Sequence, residues 1–220
     1  MITILMPIYN GIEFIDDSVL SILTQTYSNW ELLIGINGHT INSNIYQKAL
    51  EYQRMDSRIN VLDLYYIKGK SNALNEMLYY SKYDWISLLD VDDKWLPDKL
   101  EKQVEYMSNY DIIGSTCRYF GDSTIVPIIP TGDISNFNFL EYNPVINSSC
   151  LVKKDLCIWD GDYDGVEDYD LWLRLRFNKK KYYNLDDILV LHRIHNTSAF
   201  NSKGNNLLVD KLKEKYNNLN

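Results

Sequence analysis

Along the first half of the chain, short unbroken apolar runs alternate with stretches of helical spacing. Residues 3–9 read as a buried strand, stopped by Asn10-Gly11. Ile12, Ile15, Val19, Ile22 and Leu23 then recur on one helical face, with Asp16 and Asp17 in the first turn, where the helix dipole favours acids. Residues 31–36 form a second buried run, closed by Asn37-Gly38, and helical spacing returns over 45–55. A third strand is predicted at 59–64 and a helix at 71–81, opened by Gly69. The fourth strand, 85–89, runs directly into Asp90-Val91-Asp92-Asp93, and Pro97 is expected to open the next helix at its first position.

Strands without interspersed polar residues are covered on both faces, so the alternation through residue 108 predicts a doubly wound, mostly parallel sheet of the α/β class. The second half is less regular. Strands are expected at 112–120, 125–129, 149–152 and 187–191. A helix over 169–177 should turn Leu171, Leu175 and Trp172 inward, and a terminal helix should cover 207–216. No internal repeat, low-complexity tract or linker divides the chain, so residues 1–220 are read as a single domain.

Composition narrows the classes. A chain of 220 residues buries roughly 70% of its unfolded surface and folds without disulfides or metal. With 45% apolar and 24% charged residues it is an ordinary globular protein, neither disordered nor collagen-like. No apolar run approaches the roughly 18 residues of a membrane span, and no basic segment precedes the first strand as in a signal peptide. A net charge of −8 argues against a nucleic-acid partner, because such binding draws on Lys and Arg. Cys117, Cys150 and Cys157 are odd in number and lack CxxC spacing, which points to a reduced, cytoplasmic protein. A zinc site combining Cys150 or Cys157 with His192 and His195 lacks the usual spacing.

Ligands of open α/β sheets bind beyond the carboxyl ends of the strands. Three groups fall there: Tyr9-Asn10-Gly11, Asn37-Gly38-His39, and Asp90 with Asp92 and Asp93. The three carboxylates repel one another, which a divalent cation relieves; hard oxygen ligands suit Mg²⁺ or Mn²⁺, and both bind diphosphates. A solvated turn capping the next helix is the plainer reading. The helix start from Gly69 to Asn75 lacks P-loop spacing; either Ser71 caps it, or Lys68 or Lys70 meets a donor phosphate. Asp160, Asp162, Asp164, Glu167, Asp168 and Asp170 crowd into one segment. They read as a solvated loop, or as a site for a cation or for a hydroxyl that must lose a proton.

Several segments, in this order, resemble family-2 glycosyltransferases of the GT-A type. They are Ile4 to Asn10, Ser21 to Glu31, Gly69 to Asn75, Leu89 to Pro97, Glu167 to Trp172, and Arg193-Ile194-His195. The resemblance covers nearly the whole chain. It implies a nucleotide-sugar-binding half over 1–108 and an acceptor and catalytic half over 109–220. By the same resemblance Tyr9 and the backbone near Pro7 cradle the base, and Lys68 or Lys70 has to supply the cation toward the donor. Asp92 faces the ribose or the metal, and Asp93 binds the metal. Asp90 begins the D-x-D form of the motif, and His195 lies where some members bring a His to the metal or diphosphate. Asp168 is the general base.

Two departures stand out. The family commonly carries Asp-Asp-Gly where this chain has Ile36-Asn37-Gly38, so Asn37 meets the base without charge. Leu74 stands where an Arg is frequent. The implied reaction is a single inverting displacement. A sugar passes from a nucleotide sugar, by the resemblance UDP-linked, to a hydroxyl of a glycan or other acceptor, with Mn²⁺ or Mg²⁺ stabilising the leaving diphosphate. On a helix Asp168 and Asp170 point about 200° apart, which leaves Asp170 to pair with Arg174. Two other classes stay open: a catalytically inactive nucleotide-sugar binder, and a sugar nucleotidyltransferase. The latter normally has an N-terminal Gly-rich loop with a basic residue, which the segment between Pro7 and Ile15 does not supply. With no span of its own, the protein is expected to be cytoplasmic, or held at a membrane by a partner.

Overall fold

The computed structural model describes residues 1–196 and 205–218. Four parallel strands form its first half: β1 (Ile2–Ile8), β2 (Trp30–Asn37), β3 (Ile59–Leu64) and β4 (Trp85–Leu88). β1 lies between β2 and β4, and β2 pairs with β3. All of β2 is buried, its apolar stretch 32–36 being covered on both faces. The helices between them are α1 (Ile15–Leu23), α2 (Asn44–Met55) and α3 (Lys70–Tyr80). Ile15, Val19 and Ile22 of α1 pack on one face of the sheet with residues of α2; Ala73, Leu74 and Met77 of α3 pack on the other.

The sheet continues with short β5 (Lys94–Trp95), β6 (Ile112–Gly121), β7 (Gly132–Asp133), β8 (Leu151–Lys153) and β9 (Tyr182–Ile194). The order is β3-β2-β1-β4-β8-β6-β9-β5, with β7 on β9. β8 runs antiparallel between β4 and β6, while β6 and β9 are parallel. The parallel character therefore belongs to the first half, and the second half is mixed. Three further helices are α4 (Lys99–Val104), α5 (Glu167–Phe177) and α6 (Asn205–Asn217). Leu171, Trp172 and Leu175 of α5 are buried, and α6 packs Leu212 and Tyr216 into the same core.

The structure revises several expected elements. Residues 125–129 form no strand: Ile125, Val126 and Ile128 are exposed, and Pro127 and Pro130 offer no ladder donor. Pro97 does not open α4, which begins two residues later. Its carbonyl instead accepts from the Thr26 amide at 2.9 Å, tying the turn to the end of α1. Ser149 sits in a 3-10 turn ahead of β8, and β9 extends well beyond 187–191, with register shifts against β6 near Thr116. Among the described residues no helix is long and apolar enough to cross a membrane. The three cysteines are buried thiols.

The core also holds a lysine. Lys99 is fully buried; its Nζ donates to Gln103 Oε1 at 2.7 Å and Ser87 Oγ at 3.2 Å and lies 3.9 Å from the Trp95 ring. Burial pushes its ammonium down to about 7.

Candidate active site

Two adjoining hollows, of about 890 and 710 Å³, open beyond the carboxyl ends of the first-half strands. Asp90, Asp92, Asn143, Glu167, Asp168 and His195 lie on the wall of the larger. Asn37, Gly38, Tyr65 and Lys68 line the smaller, while Pro7, Tyr9 and Lys70 line both. The fold thus gathers into one region every site residue expected from the sequence except Asp93.

The smaller hollow is built on the ends of β1 and β2. Asn37, the last residue of β2, is nearly covered. Gly38 follows at φ +76°, and a Cβ there would lie 2.7 Å from the Tyr9 ring. Both conditions call for glycine. His39 donates from Nε2 to the Tyr9 carbonyl at 2.6 Å, and its ring tilts against that of Tyr9 with centroids 5.4 Å apart. The Tyr9 ring itself stays largely exposed at the junction of the two hollows.

The carboxylates after β4 face different partners. Asp90 Oδ1 pairs with Lys70 Nζ at 2.7 Å and Oδ2 accepts from Asn147 Nδ2 at 3.0 Å. Burial raises the Asp90 carboxyl, but the Lys70 charge and the hydrogen bonds from Lys70 and Asn147 together hold it below the usual carboxylate range. Asp92 Oδ2 meets His195 Nε2 at 2.9 Å on the cleft wall. Burial, then the charges of Asp93 and Asp90, hold the Asp92 carboxyl above its ordinary value.

The sequence places Asp93 on the metal, but the residue is only 1% exposed and turns toward β9. Its Oδ1 accepts from the Arg193 amide at 2.8 Å, and its Oδ2 pairs with His192 Nδ1 at 3.0 Å. Burial lowers His192, but the charge and hydrogen bond of Asp93, together with the charges of Asp90 and Asp92, push it up to about 9. Arg193 completes this junction. Its guanidinium lies between Phe14 and Phe120, at 4.4 and 4.2 Å, and its Nε donates to the Asp92 carbonyl at 2.8 Å.

Among the described residues no three His, Cys, Asp or Glu side chains converge as a ready-made metal cage. The Asp92–His195 pair nonetheless suits a divalent cation. It offers one oxygen and one nitrogen donor, and Asp92 is crowded by like charge that a cation would neutralise. Mg²⁺-type sites of this kind take their remaining ligands from phosphate oxygens and water.

Across the cleft stands the start of α5. Asp168 is half-buried; Oδ2 accepts from Asn143 Nδ2 at 3.0 Å and Oδ1 from the Tyr169 amide at 2.7 Å. Burial, then the Glu167 charge, push its carboxyl up to about 7 against the pull of Lys70. Glu167 is buried; Oε2 accepts from the Gly165 amide at 2.7 Å and Oε1 pairs with Lys70 at 3.1 Å. Asp170, on another face of α5, accepts from Tyr216 Oη and pairs with Lys215, both at 3.2 Å. The acidic segment before α5 is more than a solvated loop. Asp164 Oδ1 accepts from the Ser71 amide, and the Asp160 carbonyl accepts from Ser71 Oγ, so Ser71 is not the cap of α3. Asn143 and Asn147, which orient Asp168 and Asp90, carried no signal in the sequence, because single asparagines in a loop fit no periodic pattern.

A sequence profile described as Glycosyl transferase family 2 matches residues 3–151. An Escherichia coli relative, UDP-Glc:alpha-D-GlcNAc-diphosphoundecaprenol beta-1,3-glucosyltransferase WfgD, is 32% identical over 208 residues, spanning 92% of this chain and 81% of its own. Of solved structures, S. aureus TarS 1-349 in complex with UDP-GlcNAc superimposes with a TM-score of 0.77 at 12% identity, over 96% of this chain and 65% of the TarS chain. The mannosyltransferase PcManGT from Pyrobaculum calidifontis, in complex with GDP-Man and Mn2+, gives 0.71 at 14% identity, over 90% of this chain and 58% of its own. These two likenesses establish the fold, and this chain spans less than two thirds of either protein. With the family profile covering more than half of its length and the glucosyltransferase relative nearly all of it, the chain belongs to glycosyltransferase family 2 and has the GT-A fold.

Proposed function

We propose that the protein transfers a sugar, with inversion, from a UDP-linked donor to an acceptor hydroxyl, Asp168 serving as general base. One observation carries this reading: the raised Asp168 carboxyl shares a cleft with the Asp92–His195 pair, and that cleft adjoins a hollow floored by Asn37 and walled by Tyr9.

In this reading the smaller hollow takes the nucleoside. Tyr9 offers a ring face to the base, and the Asn37 amide oxygen accepts its N–H, a neutral contact in place of a charged one. Asp92 and His195 would hold Mn²⁺ or Mg²⁺, which would supply Lewis-acid neutralisation of the charge on the leaving diphosphate. Asp168, held in orientation by Asn143, takes the proton of the acceptor hydroxyl as the new bond forms. A carboxyl near 7 suits proton abstraction, being ionised in a useful fraction at neutral pH and still basic enough to accept. One displacement turns an α-linked donor into a β-glycoside. The nucleotides bound to TarS and PcManGT, and the UDP-Glc donor in the name of WfgD, support a nucleotide sugar; Asn37 and the TarS ligand favour UDP.

For the acceptor, a sugar carried on a lipid diphosphate fits best. Such an acceptor is named for WfgD, and the rim of the cleft here presents Pro127, Ile128, Ile129 and Tyr142, with Ile128 93% exposed. Nucleotide-sugar turnover with Mn²⁺ tests the reading: UDP release from a UDP-sugar should need Asp168, and Asp168→Asn should cut it by about 10²–10⁴-fold with donor affinity retained. Normal turnover by Asp168→Asn sinks the assignment.

A further inference from the structure

Lys70 lines both hollows, yet its ammonium is already shared by two carboxylates. Nζ lies 2.7 Å from Asp90 Oδ1 and 3.1 Å from Glu167 Oε1. These two acids come from opposite sides of the site. Asp90 follows β4, under the donor, and Glu167 opens α5 beside the base. Their other oxygens are also taken, by Asn147 Nδ2 and by the Gly165 amide. Asp168, by contrast, accepts from neutral groups, the Asn143 amide and the Tyr169 amide.

We infer that Lys70 is a positioning residue for the base: by binding Asp90 and Glu167 through one ammonium, it engages the two neighbouring acids and leaves Asp168, which it does not touch, as the carboxyl that exchanges a proton with the cleft. The inference rests on Asp168 being the base. A bundle of three carboxyls around a half-buried pocket cannot carry three negative charges cheaply, and one of them must hold a proton unless a cation intervenes. With Lys70 in place the choice falls on the acid that Lys70 does not touch. The charged groups facing Asp168 pull in opposite directions. Glu167 on its own helix and Asp90 after β4 oppose its ionisation, and Lys70 on α3 favours it. Asp92, His192 and His195 stand on the same cleft wall and belong to the donor side. Lys70 itself stays charged, because the two anions outweigh its burial. This division of labour also separates Lys70 from a simple phosphate ligand, whose loss would weaken donor binding without touching the base.

Carbon-13 NMR of protein labelled at the aspartate side-chain carboxyl tests the inference without any substrate, the Asp168 signal being identified by its loss in Asp168→Asn. Lys70→Met should move the Asp168 titration upward by about one pH unit or more, Glu167→Gln should move it downward by a similar amount, and Lys70→Arg should leave it near the parent value. If Lys70→Met does not fold, Glu167→Gln decides alone. An Asp168 titration that stays put in Lys70→Met or in Glu167→Gln, with only UDP affinity lowered, overturns the inference. Normal UDP release by Asp168→Asn would instead remove the base assignment while leaving the titration result standing, so the two failures are told apart.

Discussion

Asp164 caps a helix from 93 residues away: its Oδ1 accepts from the Ser71 amide at 2.8 Å, at the first turn of α3. The N-cap position itself is Gly69, at φ +85°, with no side chain to offer. A Cβ on Gly69 would stand 2.0 Å from Asp164 Oδ2, so the glycine makes room for the remote carboxylate. The contact ties α3, which carries Lys70, to the loop that leads into Glu167 and Asp168.

Asp164→Ala should therefore destabilise the fold by about 1 kcal/mol, the usual worth of an N-cap, which is roughly 2–4 °C in Tm for a domain of this size. Gly69→Ala should cost more, because it strains the backbone and expels the same carboxylate. The double variant should be less destabilised than the sum of the two, and urea unfolding of the four proteins measures the difference. Additive losses would show that Asp164 does not serve the Gly69 turn.

Asp92 and Asp93 are adjacent and should behave oppositely. Asp93→Ala removes a carboxylate that pairs with half-buried His192 and accepts from the Arg193 amide. Losing a buried acceptor of this kind costs about 1–3 kcal/mol, so this variant should melt early whether or not nucleotide is present. Asp92→Ala should keep its Tm and lose Mn²⁺-dependent UDP binding. Calorimetry beside thermal unfolding separates the two, and a stable Asp93→Ala that has lost only metal dependence would return the metal to Asp93.

The general base gives a pH signature. Asp168 must be ionised to accept a proton, and its carboxyl sits at about 7, so turnover should rise with pH through that region and level off above it. Replacing Asn143 by Ala removes one hydrogen bond to the ionised form and should shift the rise to higher pH, with a modest loss of rate. A flat profile between pH 6 and about 8 would assign the proton transfer elsewhere.

How far the sequence reveals the structure depends on the range of the forces involved. β1 to β4 were legible because each is a short, mostly apolar run bounded by turn residues, a signal that no distant residue alters. The ordered motifs from Pro7 to His195 pointed to the cleft for the same reason, since each motif is local. The run 125–129 misled because apolar character alone does not make a ladder. Pro127 within it and Pro130 just beyond it offer no ladder donor, and Ile128 and Ile129 line the cleft instead. The contacts of Asp93 could not be read locally because its direction is set by His192 and Arg193, a hundred residues on. Asp164, Asn143 and Asn147 were silent for the same cause: each acts through one long-range hydrogen bond, which leaves no periodicity behind.

Lys99 is the least legible residue of all, since its place at the start of a short helix gives no hint of burial. Its ammonium is satisfied by Gln103, Ser87 and the face of Trp95, and among the described residues no carboxylate is bonded to it. With a folded value of about 7 against an unfolded value near 10.5, the unfolded chain binds the extra proton throughout that window. Stability from this group therefore rises as pH increases from about 7 toward 10, at up to roughly 1.4 kcal/mol per pH unit, and is flat below the folded value. Lys99→Met fills the same volume without a charge to desolvate. It should raise stability most at and below neutral pH and remove that slope, at the smaller cost of leaving the Gln103 carbonyl without its donor. Urea unfolding of parent and variant at pH 6.5, 8 and about 9.5 reads both effects. A variant that keeps the parent slope would mean that Lys99 is not the source of it, and one that is destabilised at every pH would mean that the hydrogen bonds and the ring contact outweigh the burial of the charge.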